Sequence, residues 1–161
     1  MPVFNGQFFE NDPAGGQRPG TTTLAHLGPT LAVSVSIPQA LADLYARQQR
    51  LLPSPITGIG LIDTGATRSC VHAPIMRNLG VNPIGVVTIG FAAGQALHNL
   101  FPAHFTFPAA GIDIDFASVV GVELAGQMIN GQQLIALIGR DVLSMGIFVY
   151  NGSMGTFSFA M

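Results

Sequence analysis

The chain has 161 residues, of which 48% are hydrophobic and only 9% are charged, and its formal net charge is −2. This length gives one domain that buries about two-thirds of its unfolded surface, and a near-neutral chain without a basic run is a poor candidate for binding nucleic acid. Its 20 Gly and 11 Pro are typical of compact β structure with many turns, and so few charges favour burial in an oligomer.

The first residues of the chain and its single cysteine indicate a cellular compartment. Residues 1–6 lack a basic segment followed by an apolar stretch, so we predict no signal peptide. No apolar run approaches the length that spans a bilayer. Cys70 cannot form an internal disulfide, which is typical of a reducing compartment. We therefore expect a cytoplasmic protein with no membrane partner.

The apolar pattern predicts an all-β (mostly) chain with two or three short helices. Residues 1–28 are expected to form a mobile N-terminal arm, because polar and turn-forming residues cluster in residues 5–20. The folded domain then spans residues 29–161. In chain order we expect a strand over 31–37, a helix over 39–52, a strand over 56–63, a helix over 72–79, a hairpin over 86–107, strands over 112–122 and 134–138, a helical turn after 139–141, and a final hairpin over 147–160.

The most informative segment runs from an apolar strand directly into Asp63, Thr64, Gly65 and Ala66. Gly65 lets the backbone fold back, so that peptide N–H groups can point at the Asp63 carboxylate. Such a turn holds a carboxylate at a fixed position in a cleft. Asp-Thr-Gly-Ala after two aliphatic residues resembles the active-site loop of aspartic proteases, and the Ala-Thr continuation favours the small retropepsin-like branch.

A second motif supports this resemblance. Residues 134–143 read Leu-Ile-Ala-Leu-Ile-Gly-Arg-Asp-Val-Leu, and retropepsin-like proteases have a similar aliphatic strand followed by Gly-Arg-Asp or Gly-Arg-Asn and a short helix. The resemblance covers residues 31–161 and implies a closed acid-protease barrel with one Asp-Thr-Gly loop per chain. In that barrel Gly139, Arg140 and Asp141 would support the catalytic loop.

The resemblance also implies roles for individual residues. Asp63 would be the catalytic carboxylate, Thr64 would hydrogen-bond across a dimer axis, Gly65 would contact the substrate backbone, and Ala66 would keep the cleft floor small. The hairpin over 86–107 would be a flap that closes over substrate. Apolar pockets are expected to include Ile62 and Ile84. Further substrate contacts are expected from Phe91, Ala92, Ala93, Gly94 and Ile138.

Two features depart from the retroviral pattern. Retroviral enzymes have an acidic residue just after Asp-Thr-Gly-Ala that binds the substrate backbone. This chain has Thr67 and Arg68 there, and in this it is more similar to the cellular and bacterial relatives. The helix over 39–52 resembles an insertion before the catalytic strand, which either shapes the cleft or contacts a partner.

One Asp-Thr-Gly loop is half of an aspartic-protease site, because two aspartates must share one proton. The chain has no second Asp-Thr-Gly or Asp-Ser-Gly, so the second Asp63 must come from another copy in a two-fold homodimer. Residues 156–161 alternate in the manner of a strand that interleaves with a partner, and we expect their removal to give an inactive monomer. Phe8 and Phe9 form a candidate self-cleavage site in the arm.

We therefore interpret the chain as a homodimeric aspartic endopeptidase that acts on peptide or protein substrates and needs no metal or organic cofactor. The alternative is a noncatalytic dimeric peptide-binding module that retains the fold. An aspartyl-phosphate nucleophile is disfavoured because no Lys lies in a Gly-rich loop. His98 and His104 lack the third ligand that a zinc site needs.

Overall fold

The structure is a computed structural model that describes residues 2–91 and 94–161. Strands dominate and the helices are short. The N-terminal half contains β1 (Val3–Gln7), β2 (Phe9–Asn11), β3 (Gln17–Pro19), α1 (Thr21–Leu27), β4 (Thr30–Ser36), α2 (Gln39–Arg47), β5 (Ile56–Ile62), β6 (Cys70–His72) and α3 (Ala73–Asn78). The C-terminal half contains β7 (Gly85–Phe91), β8 (Gly94–Phe107), β9 (Ile112–Val122), β10 (Met128–Ile129), β11 (Gln132–Ile138), α4 (Arg140–Leu143), β12 (Ile147–Asn151), a 3-10 turn (Gly152–Met154) and β13 (Thr156–Ala160).

Six strands form a closed barrel. They pair in the order β11, β5, β4, β8, β9 and β6, and β6 pairs back onto β11. The pairs β5–β11 and β6–β9 are parallel, and the other pairs in the ring are antiparallel. Closure removes the unpaired edges that an open sheet would expose. The prediction of a mostly β chain with a closed barrel and short helices is therefore confirmed.

The barrel core follows the two-residue period of its strands. On β4, Leu31, Val33 and Val35 are buried, whereas the serines between and after them are only partly covered. The same alternation on β8 buries Phe101 and Phe105. Because successive side chains of a strand point to opposite faces, one face of each strand supplies the core.

The segment that the sequence predicts as a mobile arm is paired with the end of the chain. β1 lies antiparallel to β13, with Val3 opposite Ala160, and the ring of Phe4 lies 5.6 Å from that of Phe157. Leu24 of α1 is fully buried. The expectation of a mobile arm came from the polar residues 5–20, whereas the apolar contacts are made by Phe4 and Leu24 on either side of them. The helix α1 was not predicted from the sequence.

The C-terminal strand has no free edge. β13 lies between β1 and β12 in a three-stranded sheet, and its Phe157 and Phe159 are buried. The expectation that residues 156–161 interleave with a partner chain is therefore corrected, because both edges of β13 are already paired within its own chain. Within residues 2–91 and 94–161, β12 pairs only with β13 and has one free edge.

The helix expected over 39–52 ends at Arg47. The N–H of Arg50 donates to Tyr45 O at 2.9 Å and that of Gln49 donates to Ala46 O at 3.1 Å, with Gln49 at φ 55°. This pattern is a Schellman termination, which ends a helix through one left-handed residue. Among the described residues, no helix is both long and apolar enough to cross a membrane.

Candidate active site

Asp63 lies at the end of the barrel strand β5 and is held by its own turn. Its N–H donates to Ile138 O at 2.9 Å, which continues the parallel pairing of β5 with β11. Its Oδ1 accepts from the N–H groups of Gly65 at 2.9 Å and Ala66 at 3.3 Å. No described residue donates to Oδ2. One carboxylate oxygen is thus fixed by the loop, while the other can face a water or a substrate.

Gly65 leaves little room for a side chain in this turn. A Cβ at Gly65 would lie 3.1 Å from Asp63 Oδ1, which is tighter than an ordinary contact. Thr64 and Gly65 are exposed and Ala66 is half-buried. The turn therefore presents small groups to solvent around a half-buried carboxylate, and the hydroxyl of Thr64 lies in an exposed part of the loop.

A buried hydrogen-bond network lies behind the loop. Ser69 is fully buried, and its N–H donates to Asp141 Oδ2 at 2.8 Å while its Oγ donates to Asp141 Oδ1 at 2.7 Å. The N–H of Gly139 donates to Ser69 Oγ at 3.0 Å. Sequence reasoning missed Ser69, since nothing in its local pattern distinguishes it from the other serines.

The second motif contacts the loop directly. Arg140 N donates to Ala66 O at 2.9 Å, its Nη1 donates to Thr64 O at 3.3 Å, and its Nη2 donates to Thr67 Oγ1 at 2.8 Å. A Cβ at Gly139 would lie 2.6 Å from the carbonyl carbon of Arg68. Gly139, Arg140 and Asp141 thus lie together against the loop and the residues that follow it.

A cleft of about 510 Å³ opens over Asp63. The loop forms its floor and β7 forms the opposite wall. Sequence reasoning did not assign the cleft residues of β7, and because they are four consecutive residues, strand alternation gives no signal that would identify them. The lining residues are Asp63, Gly65, Ala66, Thr67, Arg68, Cys70, Val87, Thr88, Ile89, Gly90 and Leu137.

Two residues expected in substrate pockets lie in the core instead. Ile138 is 1% exposed and Ile62 is 4% exposed, whereas Leu137, the neighbour of Ile138, lines the cleft. Alternation along β11 explains the correction, because a shift of one residue moves a side chain to the other face.

Only some of the residues predicted for the flap are among those that the structure describes. β7 and β8 form the expected hairpin, and Gly94 pairs with Phe91 at its end. Gly94 is exposed and has φ 130°. Ala92, Ala93 and the side chain of Phe91 lie outside the described residues.

Cys70 lies beside the loop but does not supply a nucleophile. Burial, followed by the negative charges of Asp141 and Asp63, raises the pKa of the Cys70 thiol to about 11, against the opposing influence of Arg68. The Sγ atom lies 3.5 Å from Arg68 O, to which the thiol donates. The thiol is therefore protonated at neutral pH, which disfavours cysteine chemistry in this cleft.

The helical insertion is separate from the cleft. α2 lines a different groove of about 880 Å³ together with residues of β9, among them Asp115 and Phe116. No α2 residue lines the cleft over Asp63. Of the two roles considered for this helix, shaping that cleft is thereby disfavoured.

No family model and no curated protein sequence matches the chain. Among solved structures, the chain is similar to a retropepsin-like aspartic protease from Rickettsia conorii. The identity is 10%, the match covers 98% of this chain and 92% of that chain, and the TM-score is 0.40. Likeness at this level does not carry an activity over to this chain.

Proposed function

We propose that the chain is an aspartic endopeptidase that acts as a homodimer. The observation that carries the proposal is the state of the Asp63 carboxylate. Its Oδ1 accepts from Gly65 N and Ala66 N, its Oδ2 accepts from no described residue, and Asp63 lines a cleft. A carboxylate that served only to cap its turn would not need a cleft above it. The Asp-Thr-Gly-Ala sequence and the Gly-Arg-Asp motif packed behind it agree with this chemistry.

The proposed reaction needs two Asp63 carboxylates in contact. Two like charges at that separation cannot both ionise, so the pair holds one proton and titrates as a unit. One carboxylate takes a proton from the attacking water while the protonated partner donates to the carbonyl of the scissile peptide. The substrate lies extended under β7, where Val87 and Ile89 offer apolar contacts.

The free edge of β12 is a candidate for the dimer interface. This outer edge pairs with no other strand among the described residues, and Ile147, Val149 and Tyr150 on this strand are exposed by 64%, 53% and 46%. β12 also follows α4, which packs behind the catalytic loop. An exposed apolar edge strand pairs readily with another chain, so β12 against its symmetry mate is the interface we propose.

The dimer is tested by sedimentation of the wild type and of Val149→Lys across a concentration series. We expect the wild type to be dimeric and the variant to shift toward monomer, because like charges would face each other across the axis. Gln17→Lys, on the short β2–β3 hairpin, is the matched control. An equally stable dimer in both variants would exclude β12 as the interface.

The activity is tested by incubating a diverse peptide library with the dimer from acid to neutral pH and reading the products by mass spectrometry. Asp63→Asn removes the proposed catalytic carboxylate, and Asp43→Asn, on the exposed face of α2, is the matched control. We expect cuts from the wild type and Asp43→Asn but none from Asp63→Asn. A folded wild-type dimer that binds peptides without cutting them would instead identify a noncatalytic peptide-binding module.

A further inference from the structure

Arg68 places a cation in the wall of the cleft. It is half-buried and lines the same cavity as Asp63. Its Nη2 donates to Ser118 O at 3.2 Å and to Ser118 Oγ at 2.6 Å. The guanidinium is therefore anchored along one side only, and its other N–H groups have no hydrogen-bond acceptor among the described residues.

The anchor is built into the sheet. In the pairing of β8 with β9, Phe101 lies opposite Val119 and Ala103 lies opposite Phe116, so two residues of β9 oppose one residue of β8. Such a bulge interrupts the ladder and redirects side chains. Ser118 lies in this bulge, and both of its oxygens turn to the Arg68 guanidinium.

No carboxylate of the described residues forms an ion pair with Arg68, although Asp63 lines the same cleft. The ion pairs of residues 2–91 and 94–161 join Arg18 to Glu10, His72 to Glu123, and His104 to Asp113 and Asp115. The same cleft offers apolar side chains from Val87, Ile89 and Leu137, and Thr67, Thr88 and Asp63 add polar groups to its lining. A partly desolvated guanidinium with free donors is a strong binding group for a carboxylate.

Arg140, the other arginine next to the loop, is in a different state. Both of its Nη atoms donate to loop oxygens, it is exposed, and it does not line the cleft. The Arg140 donors bind loop oxygens of the protein, whereas the Arg68 side chain lines the cleft and bonds only Ser118 among the described residues.

We propose that Arg68 is a specificity-determining residue that binds a carboxylate of the peptide substrate. This inference rests on the proposed function, because it names the substrate class of the same cleft. The carboxylate belongs either to an Asp or Glu side chain close to the scissile bond or to the C-terminus of the peptide. In both cases the apolar wall formed by Val87, Ile89 and Leu137 takes the neighbouring apolar side chains.

The test measures peptide binding to the Asp63→Asn protein, so that it does not depend on cleavage. The probes are extended apolar peptides that differ only in carrying Glu or Gln at each position in turn, each made with a free or an amidated C-terminus. We expect one Glu position to bind about tenfold or more tightly than its Gln counterpart, since a charge-assisted hydrogen bond contributes at least that much. A loss of the same size on amidation would identify the terminal carboxylate instead.

Arg68→Met in the same background should abolish this difference, and Arg68→Lys should restore part of it. Arg77→Met, on the exposed end of α3, is the matched control and should keep it. Melting curves separate loss of selectivity from loss of fold. Ser118→Ala is a second variant if Arg68→Met does not fold; it removes the bond from Arg68 Nη2 to Ser118 Oγ, keeps the bond to the carbonyl oxygen, and should reduce the difference. Equal binding of every Glu and Gln peptide, with or without amidation, would overturn the proposal.

Cleavage by the wild type separates this inference from the proposed function. Cuts without any preference for an acidic residue or a nearby C-terminus would leave the endopeptidase in place and reject the role of Arg68. Selective binding that depends on Arg68, without cleavage, would reject catalysis and retain the carboxylate subsite.

Discussion

Ser69 and Asp141 form a paired contact in which the serine donates twice, from N to Oδ2 at 2.8 Å and from Oγ to Oδ1 at 2.7 Å. The two residues are 72 positions apart in sequence, and their contact joins the chain just after the Asp63 loop to the first turn of α4. Because Gly139 N donates to the same Ser69 Oγ, the position of the Asp63 loop depends on this pair.

Replacing Asp141 by Ala should destabilise the protein by about 2–3 kcal/mol. The substitution leaves the N–H and hydroxyl of fully buried Ser69 without their acceptors, and unsatisfied buried donors carry a cost of this size. Denaturant unfolding measures the effect. Asp43→Ala, on the exposed face of α2, is the control and should change stability by less than about 0.5 kcal/mol. Equal stability of the two variants would show that the network does not hold the loop.

Replacing Gly139 by Ala should be still more damaging. The new Cβ would meet the carbonyl carbon of Arg68 at 2.6 Å and Ser69 N at 2.8 Å, which are backbone atoms that cannot rotate away. Overpacking of this kind costs about 3 kcal/mol or more. Gly85→Ala, whose Cβ would have its nearest contact at 3.8 Å, is the matched control. The two melting temperatures should differ clearly, and a native-like Gly139→Ala would contradict the close approach.

Replacing Phe157 tests whether β13 packs in the core of its own chain. Its side chain is 2% exposed and its ring lies 5.6 to 6.5 Å from those of Phe4, Phe8 and Phe148. Phe157→Ala should therefore cost about 3–5 kcal/mol through cavity formation. Phe9→Ala, at a position 53% exposed, should cost far less.

The concentration dependence of unfolding distinguishes the two interpretations of this strand. If Phe157 belongs to the core of one chain, its loss lowers stability equally at all protein concentrations. If it served a shared sheet between chains, the loss would shrink as concentration rises.

The sequence predicts the parts of this site that depend on local chemistry. The turn after Asp63 follows from Gly65 and from the apolar strand before it, and the alternation of β4 and β9 follows from side-chain period. The positions of Ser69 and Arg68 cannot be predicted from local sequence, because the hydrogen-bond partner of each lies more than 45 residues away. Whether Ile138 or Leu137 lines the cleft depends on the pairing register of β11, which a wholly apolar run leaves undetermined.

The raised pKa of Cys70 predicts slow alkylation of the native protein at neutral pH. Because burial raises the folded pKa of the thiol to about 11, well above its ordinary value, the native protein at neutral pH contains about a hundredfold less thiolate than an ordinary cysteine would. Alkylation of the native protein should be slower than that of the unfolded protein by about that factor. Fast labelling of the folded protein at neutral pH would contradict the environment described for Cys70.

The same raised pKa links Cys70 to alkaline stability. Above pH 9 the unfolded chain releases the thiol proton before the native protein does, so the native state binds more protons and unfolding becomes easier as pH rises. The stabilising effect of the protonated thiol should thus be complete below pH 9 and be lost progressively up to about pH 11. Denaturant unfolding of the wild type and of Cys70→Ala over this range measures the effect. The wild type should lose more stability than Cys70→Ala, since the variant lacks the titrating group, and parallel pH profiles would show that the thiol titrates equally in both states.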